Sequence, residues 1–212
     1  MSRIAVLLPT IGNPDGAEKA YRSMLDTSSD ADLVLCLHDG SHHDYGHLNG
    51  DRLRKFFGPQ FSPASRVNAA CEEVRGYDVY GMMVDDAVFT TPGWDEATLR
   101  AFSGFPNGIG VVSPAHNVSG SVNFPYVSRS WLDTLGWFAC PDTHNYCWDT
   151  VLEILGESTN IKHMSAEEFS IDHDHRWNPQ AGERFKLDAV QFLNWCVTKR
   201  HESTEKLREA LR

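Results

Sequence analysis

The chain opens on a short unbroken apolar run, Ile4 to Leu8, closed by Pro9. A run without alternation predicts a strand covered on both faces, as in a parallel sheet. Asn13-Pro14 then supplies a helix cap and a first-turn proline. Ala17, Ala20, Tyr21, Met24 and Leu25 follow at helical spacing, and Leu33 to Leu37 repeats the strand pattern, completing a βαβ unit. Ser62-Pro63 starts a second helix through Val67, Ala70, Cys71 and Val74, with Gly76 placed to end it. Val79 to Val84 reads as a third strand and runs directly into Asp85-Asp86. Thr91-Pro92 caps a helix from Trp94 to Phe102, and Gly110 to Ser113 gives a further short strand. Arg129 to Leu135 and Trp148 to Leu155 have helical spacing, stopped by Gly136 and Gly156. Phe169 to Ile171 is strand-like, and a long final helix covers Lys186 to Leu211.

This alternation predicts the α/β class, with a mostly parallel central sheet and helices on both faces. A length of 212 residues without repeat or Pro/Gly linker predicts one domain over 1–185, with a C-terminal helix, 186–212, packed on it. The net charge of −10 argues against a nucleic-acid partner, because holding phosphates takes a basic surface. The basic residues after Lys199 do not reverse this, since Glu202, Glu205 and Glu209 are interleaved among them as on a solvated helix face. Five scattered cysteines without a CxxC pair predict reduced, mostly buried thiols rather than a zinc or redox site. The opening apolar run is far shorter than the ~20 residues a bilayer needs. It also lacks the features of a signal peptide, so no membrane insertion and a cytoplasmic location are expected.

Candidate chemistry gathers at the strand ends. The first strand delivers Pro9-Thr10, the second His38-Asp39-Gly40-Ser41 and the third Asp85-Asp86. In a parallel sheet these turns share one edge, the edge where open α/β sheets bind ligands. Asp39-Gly40 alone is a common turn, and Asp85-Asp86 alone is a common solvated strand end. Together they suit a nucleoside diphosphate held through a divalent cation by hard oxygen ligands. After Phe169-Ser170-Ile171 comes Asp172-His173-Asp174-His175, where alternation sends both imidazoles to one face. His38, His42, His43 and His47 are irregularly spaced in a glycine-containing loop and read as a solvated segment.

Four segments resemble the family 2 glycosyltransferases and their small GT-A relatives. Val6-Leu7-Leu8-Pro9-Thr10 is similar to that family's opening strand and Pro-Thr/Ser turn. Leu37-His38-Asp39-Gly40-Ser41 resembles its Asp-Asp-Gly-Ser segment, with His38 in place of the first acid. Ser65-Arg66-Val67-Asn68-Ala69-Ala70 resembles its Arg-Asn-x-Gly helix. Val84 to Asp95 resembles the DxD region and the Pro-Gly-Trp that follows it. The likeness is good over about the first 100 residues and looser afterwards, and Ala87 stands where relatives often carry a third acid.

The resemblance implies a sugar transferred with inversion from a nucleotide-sugar, a UDP-sugar above others, to an acceptor hydroxyl. Pro9, Thr10, Asp39, Arg66 and Asp85 would bind the nucleotide, while Asp86 and His173, with His175 second, would hold Mn or Mg. Asp149, at the start of a helix, would be the general base; on sequence alone it equally reads as a first-turn acid on a helix dipole. Trp131, Trp137 and Tyr146 are candidates for stacking on the acceptor. Two other readings stand beside this one. A nucleotidyltransferase acting on sugar phosphates also ends a strand in acids, but the Pro9-to-Gly16 turn lacks its basic phosphate loop. A nucleotide-sugar-binding module without catalysis fits Ala87.

Overall fold

A computed structural model of the protein describes residues 3–41, 44–58, 62–116, 122–174 and 181–212. In chain order these form β1 (Ile4–Pro9), α1 (Pro14–Thr27), β2 (Ala31–His38), β3 (Leu53–Gly58), α2 (Pro63–Glu73), β4 (Val79–Met82) and β5 (Ala87–Phe89). There follow α3 (Trp94–Ser103), β6 (Val111–His116), β7 (Tyr126–Ser128), α4 (Arg129–Leu135), α5 (Trp148–Thr159), β8 (Lys162–His173), α6 (Ala181–Thr198) and α7 (Arg200–Ala210). The strands make one sheet in the order β3-β2-β1-β4-β7-β6-β8-β5. β3, β2, β1 and β4 are mutually parallel. β7 runs against them, β6 and β8 are parallel to each other, and β5 returns antiparallel along β8.

β1, β2 and β4 are buried on both faces, which is why Ile4–Leu8, Leu33–Leu37 and Val79–Met82 read as unbroken apolar runs. Ala5 and Leu7 of β1 enter one core with Val67, Trp131, Leu152 and Leu207, from α2, α4, α5 and α7. Ile4, Val6 and Leu8 enter the other with Met24 of α1 and Trp94 of α3. The expected α/β class, with helices on both faces of a mostly parallel sheet, is the class observed. Ile4 pairs with both Ala31 and Val79. The C-terminal ends of β1, β2 and β4 therefore share an edge.

Several boundaries differ from the pattern reading. α3 is capped by Gly93 at φ 75°, not by Thr91-Pro92. α5 passes through Gly156 and stops at Asn160, itself left-handed at φ 57°. The single helix expected from Lys186 to Leu211 is two helices, α6 and α7, with the break at Lys199. β3, β5 and β7 were not expected: β5 and β7 have three residues each, too few for a periodicity, and β3 is a half-buried edge strand of mixed composition.

At the opposite edge from the strand C-termini, a buried carboxylate ties the parallel block together. Asp32 accepts from Arg3 Nη2 at 2.6 Å, from Arg54 Nε at 3.3 Å and from the Tyr77 hydroxyl. Burial, reinforced by the bond to Asp32, pushes the Tyr77 phenol up to about 12. The charge is buried but amply paired, the condition under which it can be kept.

Gly81 of β4 lies directly across from Tyr126 of β7. A Cβ at Gly81 would come within 2.0 Å of the Tyr126 ring, which is fully buried. Gly81→Ala is therefore expected to lower the unfolding free energy by about 1–3 kcal/mol, the usual cost of overpacking. Urea denaturation followed by circular dichroism measures it.

Candidate functional site

The turn after β1 and the turn after β4 meet through side chains. Thr10, buried at the end of β1, shares a 2.8 Å hydrogen bond with the Tyr45 hydroxyl and donates to Asp85 Oδ2. Asn13 caps α1 by accepting from Gly16 N at 3.1 Å, and its Nδ2 donates to the Asp85 carbonyl at 3.1 Å. Gly16 is what lets α1 approach so closely, because a Cβ there would stand 2.0 Å from the same carbonyl oxygen. Burial raises the Asp85 carboxyl above the usual carboxylate range, the Thr10 bond pulls it back, and the neighbouring Asp86 charge pushes it up again. Asn13 was legible only as a helix cap, and Tyr45 and Gly16 gave no signal in the sequence.

Asp86 meets His173 because β5 leaves the Asp85-Asp86 turn and pairs antiparallel with β8, setting Ala87 opposite His173. Asp86 Oδ1 and His173 Nε2 share a hydrogen bond at 3.0 Å, and Asp174 N donates to the Asp86 carbonyl at 3.0 Å. The His173 ring packs edge-on to Phe124 with centroids 5.3 Å apart. Ala87 is 2% exposed in this pairing, so a third acid there would be buried between the strands. His175 lies outside the described residues, as do His42 and His43.

The Asp86–His173 pair fits a divalent cation. Two ligands at right angles around an ion at ~2.1 Å stand ~3 Å apart, which is the separation of these two atoms. Among the described residues no group of three or more His, Cys, Asp or Glu is assembled for a metal. A cation held here would take its other ligands from water or from a bound diphosphate, the usual manner of Mg²⁺.

Two cavities flank this edge. One, of about 550 Å³, is lined by Asn13, Asp15, Gly16, Lys19, Asp85 and Asp86 on one side and by Asp172 and Asp174 on the other. The second, of about 370 Å³, is lined by Ile11, Ser62, Pro63, Arg66, His144 and Asn145, with Arg184, Leu187 and Asp188 of α6 as its outer wall. Arg66 is 3% exposed, and its Nε and Nη1 have no hydrogen-bond partner among the described residues. Burial draws its pKa below the ordinary value for arginine. A buried guanidinium left in that state is a standing demand for an oxygen acceptor.

The remaining candidates are placed less centrally. Asp39 sits exposed at the end of β2, its backbone N–H donating to Gly58 at 2.9 Å, and it lines neither cavity. His38, in the place of the family's first acid, closes that turn by accepting from Gly40 N at 3.0 Å. Asp149 is half-buried at the start of α5, where its Oδ1 accepts from Thr150 N at 2.8 Å, and burial pushes its carboxyl above the usual range. It lines neither cavity. Trp131 is fully buried in the core and offers no surface to an acceptor, which corrects the expectation for that residue. Trp137 is half-buried and edge-on to Trp131, while Tyr146, also half-buried, is edge-on to Phe185.

Asp188 is the residue the sequence did not reveal. It is buried within an otherwise apolar stretch of α6 and accepts from three successive backbone groups, His144 N at 2.9 Å, Asn145 N at 2.9 Å and Tyr146 N at 2.8 Å. Lys199 adds an ion pair to Asp142 at 2.7 Å. Together they fix α6 to the loop that enters α5 and carries His144 and Asn145 into the second cavity.

No protein-family model matches the chain, and no curated protein matches it. Solved structures do. The mannosyltransferase PcManGT from Pyrobaculum calidifontis, in complex with GDP-Man and Mn2+, aligns with a TM-score of 0.69 at 10% identity, over 98% of this chain and 73% of that one. S. aureus TarS 1-349 aligns with a TM-score of 0.62 at 11% identity, over 99% of this chain and 70% of that one. Against a further S. aureus TarS structure the TM-score is 0.61 at 12% identity, and the chain spans 43% of its length. At these identities the likeness shows the fold, which is the GT-A-like glycosyltransferase fold.

Thr10→Val removes the bond that holds the Asp85 carboxyl down, so that carboxyl is expected to titrate still higher, as read by carbon-detected NMR. Asp188→Ala leaves three amides without their charged acceptor. It is expected to cost about 2–4 kcal/mol and to speed amide exchange at His144, Asn145 and Tyr146.

Proposed function

We propose that the protein is a glycosyltransferase that moves a sugar from a nucleotide-sugar to an acceptor hydroxyl, using Mn or Mg. The observation that carries this reading is the 3.0 Å pairing of Asp86 with His173, beside the Thr10–Asp85 contact, at the C-terminal edge of a GT-A-like sheet. The likeness to a mannosyltransferase solved with GDP-Man and Mn2+ supports it at the level of fold.

Asp86 and His173 would hold the cation, which when bound stabilises negative charge on the departing diphosphate. Pro9, Thr10 and Asp85 would bind the nucleotide, with Asp39 at the neighbouring strand end as a further acceptor. Arg66 supplies buried N–H donors to the oxygen acceptors of the nucleotide. Uracil presents two carbonyl oxygens to such donors, and a UDP-sugar is the donor we infer. Asp149 takes the proton from the acceptor hydroxyl as that oxygen bonds to the anomeric carbon and the bond from that carbon to the diphosphate breaks, inverting the centre. Burial raises its carboxyl above the usual range, the direction that makes a carboxylate a stronger base. Trp137 and Tyr146 remain the aromatic candidates for the acceptor side.

Asp86→Ala is expected to abolish Mn-dependent UDP binding measured by calorimetry, and unchanged binding would overturn the assignment. Asp149→Asn is expected to keep that binding and to lower turnover by about 10²-fold or more. A thermal-shift comparison of UDP and GDP with Mn distinguishes the nucleotide, since the bound form raises the melting temperature with occupancy.

A further inference from the structure

α6 is apolar on two sides. Inward, Trp195 is 1% exposed and Phe192 packs on the same core. Outward, Leu187, Val190, Leu193 and Val197 are 67%, 67%, 61% and 86% exposed. Four side chains of that size form a stripe on the order of 500 Å², near the upper end of what a monomeric surface carries and a common mark of an interaction site.

The stripe has a register. Leu187, Val190, Asn194 and Val197 follow one another at intervals of three, four and three, with Leu193 on the flank. That is the a-d-a-d spacing of a two-stranded coiled coil. Asn194, also exposed, occupies an a position. In a parallel pair about a twofold axis it faces its own copy, and the two amides bond to each other. In an antiparallel pair it faces Val190, and against lipid it faces hydrocarbon; either buries an amide without a partner. Of the cations near the stripe, Lys186 pairs with Glu183 at 2.7 Å and Lys199 with Asp142 at 2.7 Å. With a net charge of −10, little remains to draw the chain to an anionic membrane.

We propose that a second copy of this chain covers the outer face of α6 through a parallel α6–α6 pair. Two such stripes bury about 1,000 Å² in total, the lower limit for a specific interface, so the dimer is reversible and concentration-dependent. Leu187 also lines the cavity beside Arg66, which places the partner copy at the mouth of that cavity. The inference is independent of the catalytic reading.

Sedimentation equilibrium of the full chain up to about 200 µM is expected to show a mass rising from 23.8 kDa to twice that value. The double variant Leu187→Glu, Val190→Glu is expected to stay monomeric with an unchanged circular dichroism spectrum and melting temperature, because both positions are exposed in the single chain. Val190→Cys faces its own copy in this register and is expected to form an interchain disulfide on mild oxidation that the wild-type thiols do not. A wild-type chain that remains monomeric throughout, a double variant that still dimerises, or a dimer that Val190→Cys fails to link would overturn the proposal. So would a monomer that pellets with phosphatidylcholine–phosphatidylserine vesicles, which would make lipid the occupant of this face.

Discussion

The pairing of β5 with β8 is the contact on which the site depends. Asp86 leaves the end of β4 in a turn, and nothing local would fix its side chain. Three residues of ladder, Ala87 to Phe89 against Ile171 to His173, bring that turn against a strand 87 residues away and set Asp86 beside His173. The ladder is held from beneath by aromatic packing: Phe89 stacks on Trp94 at 4.4 Å, and Trp94 stacks on Phe169 at 5.0 Å. The polar pair is thus positioned by an apolar cluster one layer below it. Burial energy fixes the backbone, and the backbone in turn fixes the distance between Asp86 Oδ1 and His173 Nε2.

The same physics explains which parts were legible in the sequence. Ile4 to Leu8, Leu33 to Leu37 and Val79 to Met82 are buried on both faces, so composition alone marks them as strands, and the acids that follow them fall at one edge by topology. β5 and β7 are three residues long and owe their existence to partners far along the chain, so no local period records them. Gly93 and Gly156 show the limit of local punctuation. One caps a helix because its left-handed backbone is needed there; the other is carried through a helix because packing against Lys162 outweighs its low propensity.

Site residues followed a parallel rule. Asp85, Asp86 and Thr10 were visible because they lie at a strand end, and Arg66 because its segment resembles the family's Arg-Asn-x-Gly helix. Tyr45 and Asp188 act across 35 residues or more, on Thr10 and on the loop at His144 respectively, and neither bears a local mark. Trp131 misled for the opposite reason: an aromatic residue near a candidate site has the same letter in the core as on a surface, and only burial separates the two.

The buried charges divide into two kinds, and the contrast bears on where a ligand belongs. Asp32 and Asp188 each accept from three donors, so their fields are spent within the protein and the groups act as ties. Arg66 is equally buried but leaves Nε and Nη1 unmatched among the described residues, at a wall of a cavity whose other side is α6. Keeping a cation desolvated without acceptors costs stability. The demand is local, directional and adjacent to the carboxylate edge. Asp188 is the structural complement to this arrangement. By holding the His144 to Tyr146 backbone, it keeps in place the cavity wall that faces Arg66.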